Sequence, residues 1–252
     1  MAPDARRPSR LDLRLCVHQW VDLWQPGTVQ ARPPSTRERS GRSSTSPQSQ
    51  HVLGHPMHDP PTLIDLFSGA GGISHGFEQA GFRVVAGVDF DADSVTTFRR
   101  NHALARGLHA DLADISPADL CRDLGIQPGA LDCIAGGPPC QGFSRNRAFR
   151  HRDGVFVDDP RNHLYWHFFE FVDHLRPKTV VMENVPEILI KANGFFREAV
   201  TERFLNMGYS VTARVLNAAE YGVPQRRRRA VFLAGRDGTR VAGSSGLMVE
   251  MP

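Results

Sequence analysis

The sequence lacks any long hydrophobic run. No stretch approaches the roughly 18 consecutive apolar residues that a membrane helix needs. The first apolar stretch, residues 11–23, is interrupted by Asp12, Arg14 and Asp22. The apolar centre of a signal peptide carries no such charges, so this stretch is a poor candidate for one. We therefore expect a cytoplasmic protein that does not enter a membrane.

Cysteine is also scarce, with 4 residues in a chain of 252. Disulfide frameworks and zinc sites need cysteines that are paired or closely spaced. Cys16, Cys121, Cys133 and Cys140 share no such spacing. We therefore predict neither a disulfide framework nor a metal site, and one of the four thiols remains a candidate for a reactive group.

Basic charge is in excess only near the start of the chain. Residues 1–60 hold 8 of the 30 basic side chains and 5 of the 27 acidic ones, so the remainder carries equal numbers of both signs. The same segment is rich in Arg, Ser and Pro, and residues 35–50 include no large apolar side chain. This composition predicts a disordered tail, either inert or contacting nucleic-acid phosphates. Alternatively, the natural protein starts at Met57, just ahead of the first predicted strand.

From residue 62 onward, short apolar runs alternate with amphipathic stretches. This alternation is typical of a doubly wound, mostly parallel sheet covered by helices. Such sheets bind ligands beyond the carboxyl ends of their strands. We predict strands at 62–67, 84–89, 107–111, 131–135, 179–183, 210–215 and 230–235, and helices at 73–80, 91–102, 162–175 and 195–206.

A glycine-rich loop follows the first predicted strand. The segment Ser68-Gly-Ala-Gly-Gly72 lies between a strand and a helix, where glycine lets the backbone approach a ligand. Asp89 ends the second strand about 20 residues later, where a carboxylate can bind ribose hydroxyls. A dinucleotide fold and a purely structural turn remain alternatives. The loop lacks the strict G-x-G-x-x-G spacing, which favours another nucleoside-bearing cofactor.

The fourth strand leads into a second glycine-rich loop, Gly136-Gly-Pro-Pro-Cys140-Gln-Gly-Phe-Ser144. The two prolines fix the backbone before the cysteine, and the glycines leave its thiol uncrowded. A lone cysteine is more often a small buried side chain. Because no apolar residue adjoins Cys140 on either side, we favour the interpretation that Cys140 is a nucleophile.

The fifth strand ends in Glu183-Asn-Val-Pro186. A carboxyl group at this edge of the sheet can bond a ring nitrogen and supply a proton to it. The alternative is a helix N-cap provided by Asn184, and the two interpretations are compatible.

Four consecutive arginines precede the last predicted strand, in Tyr221-Gly-Val-Pro-Gln-Arg-Arg-Arg-Arg229. Side chains alternate in direction along extended backbone. Arg227 and Arg229 are therefore expected on one side, and Arg226 and Arg228 on the other. Arginine runs are usually solvated, but this one adjoins a predicted core strand, which favours a functional role for one face.

Taken in order, four segments resemble the motifs of the DNA cytosine C5 methyltransferase family: D-L-F-S-G-A-G-G at 65–72, G-P-P-C-Q-G-F-S at 137–144, E-N-V at 183–185 and P-Q-R-R-R-R at 224–229. The resemblance spans residues 62–236. It implies a Rossmann-like α/β fold of the S-adenosylmethionine-dependent methyltransferase type. It also implies methylation of cytosine C5 in double-stranded DNA, as in bacterial restriction-modification.

The resemblance assigns roles to individual residues. Cys140 is expected to add to cytosine C6, and Glu183 to engage N3 of the flipped base. Arg227 and Arg229 are expected near the base and the nucleophile. Asp159, Arg161 and Leu164 resemble a motif that borders the cofactor. The expected contacts of S-adenosylmethionine are Phe67, Ser68, Gly69, Ala70, Gly71, Gly72, Asp89, Phe90, Asp111, Leu112, Pro138 and Leu164.

The family continues beyond residue 236 with a target-recognition region and a final motif. We expect residues 61–236 to form the catalytic core and 237–252 to be a remnant of that continuation. The chain is then a truncated product, a fragment, or one half of a split enzyme whose second chain supplies recognition. A tRNA cytosine C5 methyltransferase, an inactive remnant that binds only cofactor or nucleic acid, and a NAD-dependent oxidoreductase remain alternatives.

Overall fold

The computed structural model describes residues 59–139 and 163–237. Strands and helices alternate through these two ranges, as the sequence predicts. The strands are β1 (Thr62–Leu66), β2 (Arg83–Asp89), β3 (Arg106–His109), β4 (Cys133–Gly136), β5 (Thr179–Asn184), β6 (Tyr209–Asn217) and β7 (Arg228–Arg236). The α-helices are α1 (Gly72–Gln79), α2 (Ala92–Asn101), α3 (Pro117–Leu124), α4 (His163–Leu175) and α5 (Phe195–Asn206), and 3₁₀ turns span Pro186–Leu189, Lys191–Gly194 and Ala218–Tyr221.

The predicted strands and the four helices with predicted bounds agree with the structure to within two residues at each end. Helix α3 has no predicted bounds, although its local signals are clear. Ser116 caps it by accepting a hydrogen bond from the Asp119 N–H at 3.1 Å, and Pro117 occupies its first turn. Gly125 ends it with a left-handed backbone, which glycine adopts at little cost.

All seven strands form one sheet in the order β3-β2-β1-β4-β5-β7-β6. The first five strands of the chain pair in parallel. Strand β7 runs antiparallel to both β5 and β6. The predicted mostly parallel sheet is confirmed, with an antiparallel pair of strands at one side.

Helices cover both faces of the sheet. On one face, α4 and α5 bury aromatic side chains such as Phe168, Phe171 and Phe204, and α3 buries smaller apolar ones. On the other face, α1 and α2 pack Phe77 and Phe98 against β1, β2 and β4. No helix within the described ranges combines the length and the hydropathy that crossing a bilayer requires.

The strand directions bring the candidate site residues to one edge of the sheet. Strands β1, β2, β4 and β5 are parallel, so their carboxyl ends lie at the same edge. Strand β7 begins there because it is antiparallel to β5, with Glu183 paired to Val231. The glycine loop, Asp89, Gly137, Glu183 and the arginine run therefore share this edge.

Candidate active site

The glycine loop leaves β1 through an unusual backbone. Phe67, Gly69 and Gly71 have φ values of 60°, 53° and 92°. The Ser68 N–H donates a hydrogen bond to the carbonyl of Val88 at 3.0 Å. The Gly71 N–H donates one to the Ser68 carbonyl at 2.9 Å. The loop is thus a tight turn that begins helix α1 at Gly72.

Asp89 joins this loop to the end of β2. Its Oδ2 accepts a hydrogen bond from the Gly69 N–H at 2.8 Å, and its Oδ1 accepts one from the Asp91 N–H at 2.9 Å. Each carboxylate oxygen can accept a further hydrogen bond. Asp89 can therefore hold the loop and a ligand's hydroxyl groups at once.

An open cleft of about 370 Å³ lies beside Asp89. It has apolar walls, one aromatic ring strongly exposed (Phe90, 64%), and two carboxylates. Six of the residues predicted to contact the cofactor meet here, together with two that the sequence did not single out. The lining is Phe67, Val88, Asp89, Phe90, Ala110, Asp111, Leu112 and Leu164.

Pro138 lies elsewhere, although it was predicted in the same set. It is buried, and its carbonyl accepts a hydrogen bond from Asn184 Nδ2 at 3.1 Å. This places it beside the end of β5 and not among the residues that line the cleft.

Asp65, inside the first motif, has a structural role that the sequence interpretation missed. The residue is fully buried, and its Oδ2 accepts hydrogen bonds from the Ser74 N–H at 3.1 Å and from Ser74 Oγ at 2.7 Å. It thereby fastens α1 to β1. Burial raises the pKa of Asp65 to about 7, although the bonds from Ser74 oppose the shift. The sequence signal for this structural role is the presence of a charged residue within an otherwise apolar strand.

The pKa of Asp65 predicts a pH-dependent stability. The folded state holds the proton up to about pH 7, whereas the unfolded chain releases it near 3.8. Stability from this group is therefore complete below the unfolded pKa and is lost as pH rises through the folded pKa. Urea unfolding at about pH 5 and about pH 7.5 should show a decrease on the order of 2 kcal/mol that Asp65→Asn removes. The exposed Asp114→Asn should keep the decrease, and an unchanged decrease in Asp65→Asn would contradict the assignment.

Gly71 has no room for a side chain. A Cβ there would lie 2.1 Å from Nε2 of His102, in addition to the strain of a φ of 92°. Gly81 has a similar φ of 86° but open space around it. Gly71→Ala should therefore lower the free energy of unfolding by about 3 kcal/mol, and Gly81→Ala by about 1 kcal/mol, as measured by urea denaturation. Equal losses would show that the contact with His102 is unimportant.

Glu183 and two arginines form a charged group at the end of β5. The Nε of Arg229 lies 2.6 Å from Oε1 of Glu183, with both side chains mostly buried. Burial raises the pKa of Glu183, while the charges of Arg229 and Arg227 oppose the rise. Burial also lowers the pKa of Arg227, and the neighbouring Arg229 adds to this effect. The three side chains therefore act on one another electrostatically.

The predicted alternation along the arginine run is confirmed. Arg227 and Arg229 are half-buried, and both affect the pKa of Glu183. Arg226 and Arg228 are exposed. One face of the run thus belongs to the site and the other faces solvent.

Asn184 links this charged group to the start of the cysteine loop. Besides holding the carbonyl of Pro138, it accepts a hydrogen bond from the Val185 N–H through its side-chain oxygen at 2.9 Å. A 3₁₀ turn begins at Pro186, so this segment is a helix N-cap region, but its N-cap is Val185 and not Asn184, and no side chain makes a capping bond. A Cβ at Gly137 would lie 3.1 Å from Oε2 of Glu183. Gly137 and Pro138 are thus fixed against Glu183 and Asn184.

Cys140, Asp159 and Arg161 lie outside the described residues. Their predicted roles stay predictions, as do the cofactor contacts assigned to the cleft and the glycine loop. Among the residues that the structure does describe, Glu183, Arg227 and Arg229 come together as the sequence predicts. Asp65, Asn101 and His102 are the contacts to the glycine loop and α1 that the sequence did not reveal.

Comparison with known proteins identifies relatives over the same region. The family model described as C-5 cytosine-specific DNA methylase matches residues 62–248. The type II methyltransferase M1.HphI of Haemophilus parahaemolyticus is 43% identical over 180 residues, which cover 71% of this chain and 47% of that protein. M.AgeI of Thalassovita gelatinovora, also named a type II methyltransferase, is 40% identical over 178 residues, or 71% of this chain and 40% of that protein.

A solved structure shares the fold. It is described as a DNA modification methyltransferase encoded within a prophage, from E. coli, and superposes with a TM-score of 0.59 at 31% identity. The match covers 70% of this chain and 47% of that chain. The chain therefore spans about half the length, or less, of these three relatives. Because the family model covers most of the chain, and the motifs lie together at one edge of its sheet, the chain belongs to the C-5 cytosine-specific DNA methylase family.

Proposed function

We propose that this chain carries the catalytic part of an enzyme that methylates cytosine C5 in DNA. The observation that carries the proposal is the buried Glu183, ion-paired to Arg229 and packed against Gly137 at the start of the cysteine loop. This arrangement offers a carboxyl group that burial keeps easier to protonate, at the sheet edge where ligands bind. The family model names DNA cytosine as the substrate, which favours DNA over tRNA and over hydride transfer.

We further propose that the cleft binds S-adenosylmethionine. Its walls fit such a ligand, because the apolar side chains and Phe90 suit a flat base, and Asp89 and Asp111 offer acceptors for hydroxyl and amino groups. The loop from Ser68 to Gly72 would face the rest of the molecule. When bound, the cofactor supplies an electrophilic methyl group.

The chain's own residues would prepare cytosine to accept that group. Cytosine must first leave the DNA stack. The thiolate of Cys140 then forms a bond from Sγ to C6, and the electron pair of the C5–C6 double bond becomes available at C5. Glu183 supplies a proton to N3 as negative charge develops in the ring. After methylation, loss of the C5 proton restores the C5–C6 double bond and expels the thiolate, and N3 returns its proton to Glu183. Covalent catalysis thus divides one hard step into easier ones.

Arg227 and Arg229 would act on both reactive groups, the carboxyl of Glu183 and the thiol of Cys140. Arg229 holds the Glu183 carboxyl by its ion pair. Positive charge near a cysteine favours its thiolate, and Arg227 and Arg229 are the candidates for this effect on Cys140.

The choice of target sequence is a separate part of the proposal. The matched relatives are named type II methyltransferases, which supports a role in bacterial restriction-modification. Since the chain matches 47% and 40% of their lengths, target recognition is assigned to the part that it does not match. We propose that this part acts either in the same polypeptide or as a second chain.

Trapping on DNA tests the proposed chemistry. In a duplex containing 5-fluorocytosine, fluorine replaces the proton that must leave, so the covalent intermediate accumulates. The chain is incubated with this duplex and S-adenosylmethionine, and a denaturation-resistant adduct is expected on gels. The matched control is the same duplex with ordinary cytosine. An adduct that forms equally on both duplexes, or whose protein linkage maps to a residue other than Cys140, would overturn the mechanism.

A further inference from the structure

The carbonyl groups of the glycine loop are held by the end of helix α2. Asn101 Nδ2 donates to the Ala70 carbonyl at 3.0 Å. His102 Nε2 lies 3.1 Å from the Gly71 carbonyl oxygen. Both contacts join residues 31 positions apart in sequence, so they are tertiary contacts and not part of the local turn.

His102 is buried and bonded at both ring nitrogens. Its exposed fraction is 2%, and its Nδ1 lies 2.9 Å from Oε2 of Glu78 on α1. A carbonyl and a carboxylate both accept hydrogen bonds, so each ring nitrogen faces an acceptor. Glu78 thus holds the ring from α1 while the other nitrogen faces the Gly71 carbonyl. The other titratable ring nearby is His75, whose centroid lies 6.3 Å away and whose Nδ1 is 3.9 Å from the same carboxylate.

These bonds help to set the direction of the loop's peptide groups. In a trans peptide the carbonyl and the N–H point in opposite directions. The Gly71 carbonyl accepts the first hydrogen bond of α1, from the His75 N–H at 2.9 Å, and also faces His102, so the Gly72 N–H points the opposite way. That N–H belongs to the first turn of α1, where the helix provides no partner for it. His102 therefore reinforces a direction that α1 already favours, and Asn101 holds the preceding Ala70 carbonyl.

We propose that Asn101 and His102 are positioning residues for the cofactor, holding the Ala70 and Gly71 carbonyls so that the glycine loop keeps its ligand-binding shape. This inference rests on the proposed function, since it takes the cleft to be the cofactor site. The His102 ring bridges the Gly71 carbonyl and the Glu78 carboxylate. Neither residue touches the cleft; both act through the backbone.

Backbone amide exchange without cofactor tests the effect on the loop directly. Asn101→Asp replaces the donor with an acceptor of the same shape, and His102→Leu removes both ring nitrogens. In each variant, exchange in a peptide covering residues 66–73 should be about tenfold faster, whereas a peptide covering β5 should be unchanged. Asn206→Asp, the same change at an exposed residue that ends α5, is the matched control. Unchanged exchange in the loop of both variants would overturn the proposal.

Calorimetric titration with S-adenosylmethionine tests the effect on binding. Asn101→Asp and His102→Leu should raise Kd about tenfold, while His102→Gln, which retains one donor toward Gly71, should stay within about threefold of wild type. Because Asn101 is exposed, Asn101→Asp keeps the test valid if His102→Leu fails to fold.

The conservative variant separates positioning from mere packing. A Kd of His102→Gln raised as far as that of His102→Leu would show that a donor facing the Gly71 carbonyl is unimportant, and would overturn the role of His102. A wild-type chain that binds no S-adenosylmethionine would contradict the proposed function, while the exchange measurement would still decide whether Asn101 and His102 hold the loop.

Discussion

Replacing Cys140 with serine is expected to abolish methyl transfer, with a loss of roughly 10⁴-fold or more. A serine hydroxyl is not ionised near neutral pH, so it cannot add to C6 as a thiolate can. The rate is measured by incorporation of labelled methyl groups into DNA, and the covalent step by the adduct with 5-fluorocytosine. Both signals should disappear together.

The matched control for this change is Cys16→Ser, which alters a cysteine outside the region that the family model matches. It should leave both signals at the wild-type level. Cys140→Ser should also bind S-adenosylmethionine with near wild-type affinity, because the residues that line the cleft are unchanged. Methyl transfer by Cys140→Ser at the wild-type rate would refute the covalent role.

Replacing Glu183 with glutamine is expected to reduce kcat by roughly 10²- to 10⁴-fold. Glutamine keeps the shape of the side chain and an acceptor for Arg229, but it cannot supply a proton to N3. Because the step needs protonated Glu183, the wild-type rate should fall as pH rises through its pKa, which burial raises above the ordinary value. Single-turnover methylation measured across pH reports both effects.

Glu220→Gln provides the control for this prediction, since Glu220 is exposed and also precedes the arginine run. It should leave the rate unchanged. Glu183→Gln should further retain cofactor binding, which separates a chemical defect from a folding defect. A wild-type rate in Glu183→Gln, or an unchanged dependence of its reduced rate on pH, would exclude Glu183 as the proton donor.

Much of the fold was predictable because its signals are local. Apolar runs such as Thr62–Leu66 and the amphipathic stretch of α4 define their own elements. The parallel order then brings the strand ends together, so residues far apart in sequence, such as Asp89 and Glu183, could be expected at one edge. The arginine alternation followed from the geometry of extended backbone alone.

The contacts that the sequence did not reveal depend on distance in space without any spacing rule. Nothing in the pattern around His102 shows that its ring fills the place of a Gly71 side chain. The bond from Asn184 to Pro138 likewise requires the pairing of β4 with β5 to be known. The antiparallel direction of β7 was also hidden, because an apolar run carries no information about its orientation.

The direction of β7 has a consequence for how a recognition region must be attached. The strand starts beside Glu183 with the arginines and ends at Arg236, beside the amino-terminal end of β5. Glu183 pairs with Val231, five residues before Arg236, and five residues of extended chain cover about 17 Å, which is how far along the sheet the exit of β7 lies from Glu183. A segment joined there must cross the full height of the sheet before it can read DNA next to the flipped cytosine. A separate polypeptide could approach the catalytic edge directly, without making that passage.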